Sequence, residues 1–195
     1  CSSDLTPRSE PSPGSSIFVG TTLPDGLLVE LPGDGSLRGV TMAVGRLDVD
    51  SIPDLAVGFP GAPIATEPTQ VGQVYVTGSP WTQRDSQGRA QLWNNLRFYG
   101  EGEERLQRFG ATVAFAHFFP DMTDSLIIGA PGTTFESRAS AGAVFITVDQ
   151  TGGNLRGDPD DDWGIVLGGR QADEGLGSAL AIVDFNADGS LDFFA

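Results

Sequence analysis

The sequence predicts an all-β protein built from repeated units of four antiparallel strands, the blades of a β-propeller. Three observations carry that expectation. First, a stretch recurs three times: "RGVTMAVGRLDVDSIPDLAVGFPGAP" at 38–63, "FGATVAFAHFFPDMTDSLIIGAPG" at 109–132 and "LGSALAIVDFNADGSLDFFA" at 176–195. Anchored on Gly39, Gly110 and Gly177, the copies begin 71 and then 67 residues apart. Second, 27 Gly and 13 Pro in 195 residues make about a fifth of the chain, the balance of a turn-rich β protein. Third, no window sustains apolar spacing of three and four over the roughly 10–12 residues that a helix needs.

The elements follow in order. Residues 1–14 belong to a polar, Ser- and Pro-rich stretch, read as a disordered tail or a processing remnant. Cys1, the single cysteine, permits no intrachain disulfide; lipid attachment and a processing artefact both stay open for it. Residues 15–37 supply "SSIFVGT" and "LLVELPG", two alternating segments that read as the outer half of a blade. Residues 38–108 form a whole blade: two strands from the recurring stretch, then "GQVYVTG" and "LWNNLRFYG". Residues 109–175 repeat it with "GAVFITV" and "WGIVLGG", and 176–195 supply an inner half blade. Propellers close with about four to eight blades, so roughly three units read as part of a larger ring.

Charge narrows the function classes. Twenty-six acidic residues against eleven basic ones give a net charge of −15, which opposes nucleic-acid partners. No apolar run reaches the roughly 18 residues of a membrane-spanning segment.

The acidity has one organised feature. "DFNADGSLD", residues 184–192, places oxygen donors at positions one, three, five and nine, with Gly189 at six. Asp184, Asn186, Asp188 and Asp192 offer side-chain oxygens and Ser190 its backbone carbonyl, a hard donor set suited to Ca²⁺. An EF-hand is excluded, because the twelfth position is Ala195 rather than Glu and the flanks read as strands. The first copy is poorer in ligands: aligned on the last acid, Asp48, Asp50 and Asp54 stand opposite Asn186, Asp188 and Asp192, but Arg46 stands at position one and Ser51 replaces the glycine. A guanidinium cannot ligate a cation, though it can pair with carboxylates in its place. The second copy has His117, Phe119, Asp121 and Ser125, and is expected to be metal-free and held by Phe118 or Phe119. The expected role of an ion is structural: three crowded carboxylates repel until a cation neutralises them.

The pattern Phe-Gly, apolar strand, acidic loop, apolar strand, Gly-Ala-Pro resembles the FG-GAP repeat. Phe109-Gly110 and Gly129-Ala130-Pro131 match it directly, while Arg38-Gly39 and Leu176-Gly177 keep only the glycine. The resemblance spans residues 15–195. It implies blades like those of the seven-bladed integrin α head and of the C-terminal propeller of glycosylphosphatidylinositol-specific phospholipase D, the second being the nearer in flavour.

No catalytic set is identifiable: His117 is the sole histidine, and no P-loop, HExxH or CxxC occurs. The acidic run Asp158–Asp162 reads as an exposed turn, and Trp81, Trp93 and Trp163 as packing residues. Two functions are expected. One is a non-catalytic, Ca²⁺-stabilised extracellular or cell-surface module that recognises a protein or glycan ligand, or serves adhesion. The alternative, implied by the resemblance, is the accessory propeller of a secreted glycosylphosphatidylinositol-specific phospholipase D-like hydrolase, with its catalytic domain outside this stretch.

Overall fold

The computed structural model describes residues 15–19, 27–31, 40–48, 53–62, 70–77, 96–118, 123–148, 153–156, 164–188 and 190–195. Cys1, Asp50, Ser51, Trp81, Trp93, Phe119, Asp121, Asp158–Asp162, Trp163 and Gly189 lie outside them, with the expectations attached to those residues. The described residues contain strands, turns and bends but no helix, so the fold is all-β.

β1 (Ser15–Val19) and β2 (Leu27–Leu31) pair as an antiparallel two-stranded sheet. β3 (Thr41–Gly45), β4 (Asp54–Phe59), β5 (Gln73–Thr77) and β6 (Leu96–Glu101) form an antiparallel meander, the first whole unit. β7 (Thr112–Ala116), β8 (Ser125–Ala130) and β9 (Ala143–Ile146) repeat its first three strands. β10 (Gly153–Arg156) leaves that unit and pairs in parallel with β6, making the first sheet five-stranded. β11 (Ile165–Gly168) returns to β9 and completes the second unit at four strands. β12 (Ala181–Val183) and β13 (Asp192–Phe194) make a second antiparallel two-stranded sheet. The sheets are blade-like, with sequence order preserved from β3 to β6 and from β7 to β11 apart from the excursion of β10.

Side-chain alternation explains why the sheets stack. Successive residues of a strand point to opposite faces, so a strand covered on both sides must be apolar throughout. β4 and β8 are buried at every position. One face of the second unit, with Leu126, Ile128 and Phe145, shares a core with Leu47, Ala56, Val74 and Val76 of the first. Phe109 meets Phe145 there edge to face at 5.5 Å. The opposite face, with Ala116, Ile127, Val144 and Ile146, packs against Leu176, Leu180, Ile182 and Phe193 of the third unit. Each fully buried aliphatic or aromatic side chain contributes about 1.5–3 kcal/mol, so these two junctions supply most of the cohesion between units.

Polar latches set the register of the stack. Thr41 Oγ1 donates to the Gly110 carbonyl at 2.8 Å, and Thr112 Oγ1 donates to the Gly177 carbonyl at 3.0 Å. The Phe109 N–H donates to Val71 O and the Leu176 N–H to Ala141 O, at 2.9 and 3.0 Å. These close approaches account for the glycines of the repeat. A Cβ on Gly58 would stand 2.4 Å from the Gly110 oxygen, and one on Gly129 2.2 Å from the Gly177 oxygen. Gly110 and Gly177 themselves take φ of 84° and 88°, a region L side chains rarely enter.

Candidate functional site

Three loops join the inner two strands of the units, and they share one frame. Gly45 faces Asp54, Ala116 faces Ser125 and Val183 faces Asp192, so each closing pair encloses an eight-residue loop. The alignment read from the sequence is therefore the alignment of the backbone.

In the third loop, Asp184, Asn186, Asp188 and Asp192 each turn a side-chain oxygen onto the loop's own N–H groups. Asp192 Oδ2 accepts from the Phe185 N–H at 3.0 Å. Asp184 Oδ1 and Asn186 Oδ1 converge on a single donor, the Asp188 N–H, at 3.1 and 2.9 Å. Asp188 in turn accepts from the Ser190 N–H through Oδ1 and from the Asn186 amide through Oδ2, both at 2.8 Å. Ala187 adopts φ of 59°, which bends the chain around these contacts. The Asp188 carboxyl is held below its ordinary value, first by the Ser190 N–H and then by the Asn186 amide. The donors thus fit a hard cation in type and in order along the chain. They do not enclose one: among the described residues, no three His, Cys, Asp or Glu side chains are gathered closely enough to hold an ion.

The first loop reuses one of these bonds. Asp54 Oδ2 accepts from the Leu47 N–H at 2.7 Å, as Asp192 does from Phe185. Asp54 is fully buried, whereas Asp192 is partly exposed. Asp48 lies beside this turn, and Asp50, the remaining candidate ligand, is outside the described residues. The second loop has Ser125 in the corresponding place, buried at the start of β8. Phe118, one of the two residues expected to hold this loop, has its ring 6.1 Å from that of Phe193 in the third unit, and Phe119, the other, lies outside the described residues.

Two polar devices escaped the sequence reading. Asp124 joins neighbouring loops: its Oδ2 accepts from the Arg46 N–H and its own N–H donates to the Arg46 carbonyl, both at 2.8 Å. Its other oxygen lies 3.3 Å from His117 Nδ1, so the sole histidine is a loop residue with a carboxylate partner. At the opposite strand ends, Gln107 Oε1 accepts from the N–H groups of Glu103 and Glu104, and its Nε2 donates to Thr133 Oγ1. Glu174 accepts in the same manner from Arg170 and Gln171. One signal was present: Gln107 and Glu174 each stand three residues before a repeat glycine.

Beside the third loop an open, mainly apolar cavity of about 530 Å³ is lined by Phe118, Ile146, Ile165, Phe185, Phe193 and Phe194. No helix among the described residues is long and apolar enough to cross a membrane.

No protein-family model matches the chain. Over 149 residues, 64% of its length, it is 37% identical to the phosphatidylinositol-glycan-specific phospholipase D of Rattus norvegicus, and it spans 17% of that protein's length.

Proposed function

We propose that this chain is a non-catalytic run of propeller blades belonging to a secreted hydrolase of the phosphatidylinositol-glycan-specific phospholipase D kind. The observation that carries this reading is the 37% identity to the rat protein over 149 residues. The blade-like sheets and their repeated latches support it, because they account for the residues the repeat keeps. On this reading, the blades hold or present the substrate and the hydrolytic groups belong to another part of the protein. The reading places the protein outside the cell. It takes precedence over adhesion, for which the loops alone speak.

The Asp184–Asp192 loop is proposed as a Ca²⁺ site within this module. Its donors are all hard oxygens in the order such an ion requires, and the ion would neutralise Asp184, Asp188 and Asp192 together. Asn186 would complete the side-chain set and Ser190 would add its carbonyl. The first loop, with Asp48, Asp50 and Asp54, is the weaker proposal, since Asp54 is buried against the Leu47 N–H.

The test is made on the full-length parent protein, incubated with a phosphatidylinositol-glycan-anchored substrate. Release of phosphatidic acid, with anchored protein freed in step, is the expected result. A parent protein that binds such substrates but never hydrolyses them would overturn the reading and leave recognition as the function.

A further inference from the structure

The turns that lead into units two and three share one backbone. Gln107 accepts from the N–H groups of Glu103 and Glu104, and Glu174 from those of Arg170 and Gln171. The Arg108 N–H donates to Gln70 O at 3.0 Å and the Gly175 N–H to Ser140 O at 3.2 Å. Counted back from Gly110 and Gly177, Leu106 stands opposite Asp173, and Arg108 opposite Gly175. All four are left-handed: φ is 63° at Leu106 and 59° at Asp173, 58° at Arg108 and 68° at Gly175.

The residues at these positions divide the two turns. Asp and Gly suit a left-handed backbone, whereas the Cβ of a long side chain there crowds the following carbonyl. The turn before unit two therefore meets with Leu and Arg a conformation that its sister meets with Asp and Gly. The fold does not require them, because the sister turn makes the same hydrogen bonds. Strain kept where an unstrained alternative exists points to use of the side chains themselves. Both are exposed, Leu106 by 48%, and Arg105 beside them is exposed too. The backbone beneath is held: Gln107 is fully buried, and its carbonyl accepts from the Gly132 N–H at 3.0 Å. The turn lies between the two four-stranded units, so this exposure does not arise at an end of the chain.

The turn thus presents one apolar side chain flanked in sequence by two guanidinium groups. Among the described residues neither Arg105 nor Arg108 is in an ion pair. Of the neighbouring acids, Glu103 is half-buried and Glu104 is engaged, its carboxylate accepting from the Thr134 N–H at 3.0 and 3.2 Å. This set matches a lipid surface: a leucine enters the boundary of the acyl chains while arginines stay at the phosphates. A free phosphate would engage the arginines and leave Leu106 without a role.

We propose that Arg105, Leu106 and Arg108 are where these blades touch a lipid surface bearing phosphate headgroups. This rests on the reading that the parent protein acts on phosphatidylinositol-glycan anchors, and it names the contact with the membrane that holds them. The net charge of −15 repels such a surface from the rest of the chain, which confines the contact to the turn.

The experiment is co-sedimentation of the full-length parent protein with phosphatidylcholine vesicles, with and without phosphatidylinositol. The wild type is expected to bind the vesicles that contain phosphatidylinositol. The double variant Leu106→Asp/Arg108→Gly takes the residues of the sister turn. It should bind those vesicles at least about tenfold more weakly, with a thermal midpoint no lower than wild type. Arg105→Ala removes charge alone and should weaken binding about fivefold. It decides the matter if the double variant fails to fold. Inorganic phosphate at constant ionic strength should not displace the wild type; displacement would assign the arginines to a free phosphate. That result, a wild type that binds neither vesicle, or variants that bind as the wild type does overturns the proposal. Anchor hydrolysis is read separately: binding without hydrolysis removes the enzymatic reading alone, and hydrolysis without binding removes this proposal alone.

Discussion

The Thr112 hydroxyl donates to the carbonyl oxygen of Gly177 at 3.0 Å, tying the innermost strand of one unit to the glycine that opens the next. Thr41 and Gly110 make the same bond one unit earlier, at 2.8 Å. Replacing Thr112 by Val keeps the shape and removes the donor, leaving a part-buried carbonyl without this bond. The expected loss is about 1–2 kcal/mol in chemical denaturation. Thr112→Ser should restore most of it, and a Val variant as stable as wild type would show that the bond holds nothing.

Gly129 faces that latch directly. A methyl group there would stand 2.2 Å from both the Gly177 oxygen and Thr112 Oγ1. Gly129→Ala is therefore expected to push the second and third units apart, at a cost of about 1–3 kcal/mol. Thermal unfolding measures it, and a variant as stable as wild type would show that the two units do not approach this closely in solution.

Asp124 crosses between loops, so its removal should be felt on the neighbouring unit. In Asp124→Ala the Arg46 N–H loses its carboxylate acceptor. Hydrogen exchange at Arg46 should accelerate while exchange in the centre of β8 does not. Unchanged protection at Arg46 would mean that the backbone bond from the Asp124 N–H to Arg46 holds the loops without the side chain.

The third loop gives a metal prediction with a direct readout. If Ca²⁺ binds at Asp184–Asp192, adding it at about 100 times its dissociation constant stabilises the fold by about 2.7 kcal/mol. Asp188→Ala should abolish that increment; an unchanged increment in this variant places the ion elsewhere.

The same residue has a pH signature without metal. The Ser190 N–H, and next the Asn186 amide, lower the folded pKa of Asp188 from its ordinary value of 3.8. A depressed carboxyl pKa contributes stability that is fully present above the unfolded value and is lost as pH falls through the folded one. Asp188→Asn should therefore narrow the gap between stability at neutral pH and at pH below about 4. An identical acid profile in the two proteins would mean that the loop's N–H groups do not hold the carboxylate in solution.

Much of this organisation was legible in the sequence, because it is written in local pattern. The alternation in "TMAVG" and "TVAFA" marks strands, and the constant offset to Asp54, Ser125 and Asp192 marks the loop frame. Gly39, Gly110 and Gly177 mark the period. What could not be read depends on partners far along the chain. "GNLR" has no strand-like alternation; it becomes β10 only where β6 offers it an open edge. Asp124 looks like one more loop acid until the neighbouring loop brings Arg46 to it. Gln107 sits in a charged turn, and its burial follows from Thr133, 26 residues on. The candidate site was legible as a set of donors and not as a geometry, since the oxygens satisfy nearby N–H groups.

β10 also bears on how such a chain can be cut and copied. Its residues lie in sequence between β9 and β11 of the second unit, yet they finish the sheet of the first, with Gly153 opposite Phe98 and Arg156 opposite Glu101. The stretch of gene encoding one repeat is therefore not the stretch of protein forming one sheet. A duplication or deletion that respects the sequence period would carry a neighbour's edge strand with it. Gain or loss of single repeats is in this way constrained by a four-residue segment that the repeat pattern does not contain.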